Sequence, residues 1–324
     1  MSAIRPIILT CGEPAGIGPE LAPLAMAADV PFVFLGDPRH LPEGSDWVEV
    51  TSLTNPLPQD RLAVLRHDFP SPREAGKPDP RHAQTVIDVI ARAVHLCQSG
   101  EAGGICTLPI NKEALKSGAG FAFPGHTEYL ADLAGGVDVV MMLASTTVEP
   151  PCRVVPATIH IALEDVPAAL TPEVLECTIR ITADGLRRDF GIAAPRIAVA
   201  GLNPHAGENG VMGRQEIDWM ADCVVRLATD GIAVFGPLPA DTMFHPAARQ
   251  RYDAAICAYH DQALIPIKTL DFAEGVNVTL GLPFVRTSPD HGTAFDIAGQ
   301  GIADPASTIA ALRLAADMAK RRAA

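Results

Sequence analysis

No stretch of this chain reaches the ~18 uninterrupted apolar residues that a membrane-spanning helix needs. Basic side chains are the minority, 25 Lys and Arg against 38 Asp and Glu, for a formal net charge of −13. Such a surface repels nucleic acid and anionic lipid, because phosphates are held by clustered Lys and Arg. Neither a nucleic-acid partner nor a membrane is therefore expected, and an anionic substrate must be held by a local positive pocket. The seven cysteines are an odd number, and no two form a C-x-x-C pair. That excludes a zinc ribbon or disulfide framework and fits reduced thiols in the cytoplasm. The opening Met-Ser-Ala-Ile-Arg-Pro lacks a signal-peptide pattern. A P-loop G-x-x-x-x-G-K-[ST], a G-x-S-x-G elbow and an H-E-x-x-H helix are all missing. Linkers, low-complexity tracts and internal repeats are missing too.

What is present is ample apolar material: 48% hydrophobic against 19% charged residues in a chain of 324. At roughly 100–200 residues per domain this predicts two domains or one large α/β unit. Gly 27 and Pro 29 suit many turns and argue against a long helical bundle. Short apolar runs alternate with helical patterns. Strands are expected at Ile4–Thr10, Pro31–Gly36, Gly104–Leu108, Val139–Leu143, Val154–Ile161, Arg196–Leu202, Ala254–Tyr259 and Val276–Leu280. Helices are expected at Arg81–Gln98, Arg214–Thr229, Ala306–Arg322 and Pro172–Phe190, the last opened by Thr171 as N-cap. Leu41–Pro80 is Pro-rich and reads as irregular structure around one strand. The alternation predicts an α/β fold with a largely parallel sheet.

Three histidines follow three of these strands: His160, His205 and His260. Ligands bind at the carboxyl ends of parallel strands, and three imidazoles there would suit a divalent metal with open positions for substrate. Any one of them, taken alone, reads more readily as a hydrogen-bonded structural residue, and it is the coincidence of three that points to a metal. Lys268, Asn277 and Arg286 follow His260 and supply charge and hydrogen bonds for an anion. In Pro124-Gly-His126-Thr127-Glu128, Thr127 could cap a helix over 128–133, whose first N–H groups would also welcome phosphate. The Gly-rich segment at 12–19 follows a strand and precedes a helix. Its order is G-x-x-x-G-x-G, so the dinucleotide fingerprint G-x-G-x-x-G fails.

These segments together resemble the 4-hydroxythreonine-4-phosphate dehydrogenases of pyridoxal phosphate biosynthesis, the PdxA family. The resemblance rests on G-E-P-A-G-I-G-P-E at 12–20, L-P-I-N-K-E-A-L at 108–115 and P-G-H-T-E at 124–128. It continues through N-P-H-A-G-E at 203–208, Y-H-D-Q-A-L-I-P-I-K at 259–268, E-G-V-N-V-T-L-G-L-P at 274–283 and R-T-S-P-D-H-G-T-A-F-D-I-A-G at 286–299. It implies a two-domain α/β/α architecture like that of isocitrate and isopropylmalate dehydrogenases, which bind NAD without the Rossmann fingerprint. The active site would lie in the interdomain cleft of a homodimer and draw on both subunits. The first domain would comprise 1–125 with about 287–324, and the second about 126–286, carrying metal and dimer contacts.

Matched motif by motif, the resemblance implies His160, His205 and His260 as metal ligands and His126, Thr127, Lys268, Asn277 and Arg286 as substrate contacts. His291, Gly292 and Asp296 would lie near NAD, or NADP. One ion per site is implied, and zinc, magnesium, manganese or cobalt all remain open, all-imidazole ligation favouring zinc or cobalt. The implied reaction oxidises the C3 hydroxyl of 4-phosphooxy-L-threonine, and the β-keto acid then loses carbon dioxide to give 3-amino-2-oxopropyl phosphate. Lys268 or Asp241 would accept the proton. The nearest alternative is a related dehydrogenase of 4-phospho-D-threonate or 4-phospho-D-erythronate. A phosphotransacetylase-like acyltransferase is more remote, since three strand-end histidines would share no task in it.

Overall fold

The computed structural model describes residues 5–54, 56–145 and 147–323. Ile4, the start of the first expected strand, lies outside them. The chain opens β1 (Ile7–Thr10), α1 (Gly18–Leu24), β2 (Phe32–Gly36), β3 (Trp47–Glu49), β4 (Leu62–Arg66), α2 (Ala83–Gln98) and β5 (Gly104–Thr107). Next come α3 (Lys112–Ala119), α4 (His126–Leu133), β6 (Val140–Ser145), β7 (Cys152–Pro156), α5 (Val166–Ala169), α6 (Pro172–Phe190) and β8 (Ile197–Ala200). The remainder is α7 (Ala221–Thr229), β9 (Val234–Leu238), α8 (Pro246–Arg249), β10 (Ala254–Cys257), α9 (His260–Leu270), β11 (Val276–Leu280), β12 (Val285–Pro289) and α10 (Ala306–Arg322). Two compact units result: Met1–Val137 with Leu282–Ala324, and Asp138–Gly281. The breaks expected near 125 and 287 thus fall after Val137 and Gly281, so α4 and β12 belong with the first unit.

The first unit holds strands in the order β3-β4-β2-β1-β5-β12, every neighbouring pair parallel. Its central strands, I-I-L-T, F-V-F-L-G and G-I-C-T, are buried along their whole length, the pattern of parallel strands covered on both faces. Helix α2 turns Val86, Val89, Ile90, Ala93 and Val94 inward at helical spacing. Burying each such valine or isoleucine contributes about 1.5–3 kcal/mol. Two strands, β3 and β4, occupy the Pro-rich segment where one was expected.

The second unit orders its strands β11-β6-β7-β10-β8-β9. β6 runs antiparallel to both β11 and β7, while β7-β10-β8-β9 are parallel. Thr171 Oγ1 accepts from the Val174 N–H at 3.3 Å to open α6, and Gly191 closes it with φ +68°. Leu175, Ile179, Ala183, Leu186 and Phe190 form its buried stripe. Because β7, β10 and β8 are adjacent and parallel, the loops after them emerge at one edge. Those loops carry the three histidines.

Candidate active site

At that edge of the second unit the strands end sooner than expected, at Pro156, Ala200 and Cys257. His160 and His205 therefore sit in loops, and His260 is the first residue of α9. The loops are hydrogen-bonded to one another. The Ala157 N–H donates to Cys257 O at 2.8 Å, and Thr158 Oγ1 donates to Ala258 O at 2.8 Å. Gln262 donates from Nε2 to Gly201 O at 2.9 Å and accepts from the Ala258 N–H at 2.6 Å, joining the β8 loop to the β10 turn.

His160 and His260 have ring centroids 5.5 Å apart, and metal–nitrogen bonds of about 2.0–2.1 Å let two such rings reach one ion. His260 Nδ1 is 2.7 Å from Asp261 Oδ1, which leaves Nε2 as the nitrogen for a ligand. A cavity of about 290 Å³ borders both rings, lined also by Thr158, Leu163, Val166 and Tyr259. His160 and His205 both have φ +53°, a left-handed backbone that non-glycine residues adopt at a cost, typically at functional sites. For His205 the left-handed run extends through Asn209. Buried Glu216 anchors the root of this loop, accepting from the Asn203 N–H at 2.7 Å and from Asn203 Nδ2 at 2.9 Å. His205 does not join the other two rings: among the described residues no group of three His, Cys, Asp or Glu side chains is placed to hold an ion. The donor set present, two adjacent imidazoles with one oriented by a carboxylate, fits part of a divalent-metal site.

Asp241 is exposed in a single turn at 240–242, Lys268 lies half-buried in α9 with its ammonium 5.7 Å from the Phe272 ring centroid, and Asn277 sits mid-β11 opposite Leu143. All three belong to the second unit.

The first unit builds a second chemical centre. Arg286 in β12 is 3% exposed, with its guanidinium donating to Thr107 Oγ1 of β5 at 2.8 and 3.2 Å. Burial lowers its pKa to about 10. His126 opens α4. Burial and then the charges of Arg286 and Lys112 hold its imidazole well below the usual range, so the ring is neutral. Its Nε2 is buried without a hydrogen-bond partner among the described residues. Thr127 is not the cap of this helix: Gly125 is, in extended backbone, and no side chain accepts from the first-turn N–H groups. The helix dipole, Arg286 and Lys112 therefore converge on one place in a strongly acidic chain, an arrangement that receives an anion.

Lys112 escaped the sequence reading, although its position at the start of α3, where a cation opposes the dipole, is the signal. Further along the unit, His291 Nδ1 lies 3.0 Å from Gly292 O, which makes Nε2 the acceptor. That atom too is buried and unpartnered among the described residues. Gly292 and Asp296 are exposed beside it.

A mixed α/β protein with paired imidazoles beyond parallel strands, and a buried arginine whose charge reaches a neutral histidine, carries side chains suited to a phosphorylated small molecule. Residues 28–315 match the family model described as pyridoxal phosphate biosynthetic protein PdxA. The chain is 74% identical to the 4-hydroxythreonine-4-phosphate dehydrogenase of Paracoccus denitrificans over 99% of its own length and all of that protein. It is 60% identical to the enzyme of the same name from Roseobacter denitrificans, with 98% of each chain covered. The crystal structure of 4-hydroxythreonine-4-phosphate dehydrogenase from Klebsiella pneumoniae superposes with TM-score 0.89 at 37% identity, covering 98% of each chain. The chain belongs to the PdxA family.

Proposed function

We propose that this protein is an NAD-dependent 4-hydroxythreonine-4-phosphate dehydrogenase of pyridoxal phosphate biosynthesis. The observation that carries the reading is the cluster of buried Arg286, Lys112 and neutral His126 at the start of α4, which suits a compact anion such as a phosphate monoester. The names of the relatives give the substrate and a dehydrogenation, and the family resemblance suggests the rest. The substrate is 4-phosphooxy-L-threonine, oxidised at C3, and the resulting β-keto acid loses carbon dioxide. Arg286, Lys112 and the α4 N-terminus hold and orient the anionic groups. Neutral His126 offers Nε2 as an acceptor to a hydroxyl or amine. Lys268 or Asp241 would take the proton of the substrate hydroxyl.

NAD supplies the hydride acceptor, with NADP open as an alternative, and the orphaned His291 Nε2 together with exposed Asp296 suits its hydroxyl and amino groups. His160 and His260, completed by His205 if its loop brings the ring to them, would hold a divalent ion, which would supply Lewis-acid polarisation. The same reading places the protein in the cytoplasm as a homodimer whose sites draw on both subunits.

The test is NADH formation at about 340 nm on 4-phosphooxy-L-threonine, compared with 4-phospho-D-threonate and 4-phospho-D-erythronate. Strong preference for the amino-acid phosphate is expected. Preference for either acid would move the enzyme to sugar-acid catabolism, and no turnover of any would refute the substrate class.

A further inference from the structure

The first unit contains a buried ion pair that neither the anion pocket nor the histidines use. Glu20 and Arg73 are 6% and 11% exposed, with Arg73 Nη2 at 3.3 Å from Glu20 Oε1. Arg73 Nη1 also donates to Gly16 O at 2.9 Å and Pro14 O at 3.2 Å, so it grips the glycine loop after β1. The Glu20 carboxylate reaches the other way. Its Oε1 accepts from the Gly299 N–H and its Oε2 from the Gly301 N–H at 3.2 Å.

The three segments so joined are in close contact. The Ile17 N–H donates to Thr293 O at 3.0 Å, and the Gly76 N–H to Ala15 O at 2.8 Å. A Cβ on Gly16 would stand 2.8 Å from Thr293 O, and one on Gly76 2.9 Å from Phe295 O. Among the described residues, Glu20 is the charged side chain that holds the 291–301 loop, whose remaining bonds are the one from Ile17 and local ones such as Gln300 Nε2 to Asp296 O at 2.7 Å. The loop presents the buried, unpartnered His291 Nε2 and the exposed Asp296.

We propose that Glu20 and Arg73 are positioning residues for dinucleotide binding, a role that rests on the NAD reading above. The pair fixes the 291–301 loop against the glycine loop, so that His291 and Asp296 are pre-set for the nucleotide rather than ordered by it. The charge is required because a carboxylate can accept both glycine N–H groups, whereas an amide would turn a donor toward one of them.

The experiment titrates NADH, read by its fluorescence, into chelated wild type, Glu20→Gln and Arg73→Lys without substrate, and then, with the divalent ion restored, measures both Michaelis constants. The variants are expected to bind NADH at least about tenfold more weakly, while the Michaelis constant for the phosphorylated substrate stays within about twofold. Unchanged NADH affinity in both variants would overturn the proposal. Equal loss for both ligands would also overturn it, by reducing the pair to general structural support. A wild type that binds no NADH would instead remove the dinucleotide reading itself, and this role with it.

Discussion

At the residue scale the two centres make separate demands. Arg286→Ala removes a buried charge-assisted contact, so the Michaelis constant for the phosphorylated substrate should rise by about ten- to a hundredfold, the equivalent of about 1.5–3 kcal/mol. Lys112→Ala should move the same constant by a smaller factor, while Lys116→Ala, on the same helix, should leave it alone. Steady-state kinetics on the three variants checks this, and an unchanged constant in Arg286→Ala would take that residue out of the site. His205→Ala should lower affinity for added divalent metal by more than about tenfold, since even outer partners of a ligand cost that much. Its melting temperature should hold, because the left-handed backbone at 205 gains nothing from a histidine side chain. A calorimetric titration with metal alone that matches wild type would contradict the assignment.

At the scale of elements, helices long enough to show an apolar period were legible, while short α3 was not, despite its Asn111 cap and Gly120 stop. Thr171-Pro172 and Gly191 bracket α6 in the sequence as they do in the fold, and Thr171→Ala should cost about 1 kcal/mol, visible as a lower melting temperature. β11 and α10 also matched their expected limits. β12 was missed because Arg286, Thr287 and Ser288 are buried polar residues, so no apolar pattern marks the strand. β9 was missed because Gly236-Pro237 interrupts it, which an edge strand tolerates. α9 was hidden by Pro266. The same physics governs the site. The histidines were visible by position, but Glu20, Arg73 and Gln262 act through backbone contacts with distant segments, and spacing carries no trace of that.

Across the whole molecule, buried histidines tie stability to pH. Burial holds His40, His67, His82 and His126 below the ordinary value near 6.5, so their neutral forms belong to the folded state. Between each lowered value and about 6.5 the unfolded chain binds more protons than the folded one, and stability rises with pH through that window. It should therefore be fully present above about pH 7 and fall as pH drops below about 6.5. Asp37, which burial raises but Arg39 and the Phe69 N–H pull down to about 2, acts only below the carboxylate range and does not blur this window. Urea melts at pH 7.5 and 5.5 should show the loss, reduced in His82→Asn, and equal stability at both would contradict it.

The central claim is a metal-assisted dehydrogenase acting on an amino-acid phosphate. The measurement that tests it most directly follows NADH formation from 4-phosphooxy-L-threonine by exhaustively chelated protein as a divalent ion is added back. Turnover should be absent after chelation and return in proportion to bound metal, saturating at one ion per active site. Full activity in the chelated protein would contradict the account.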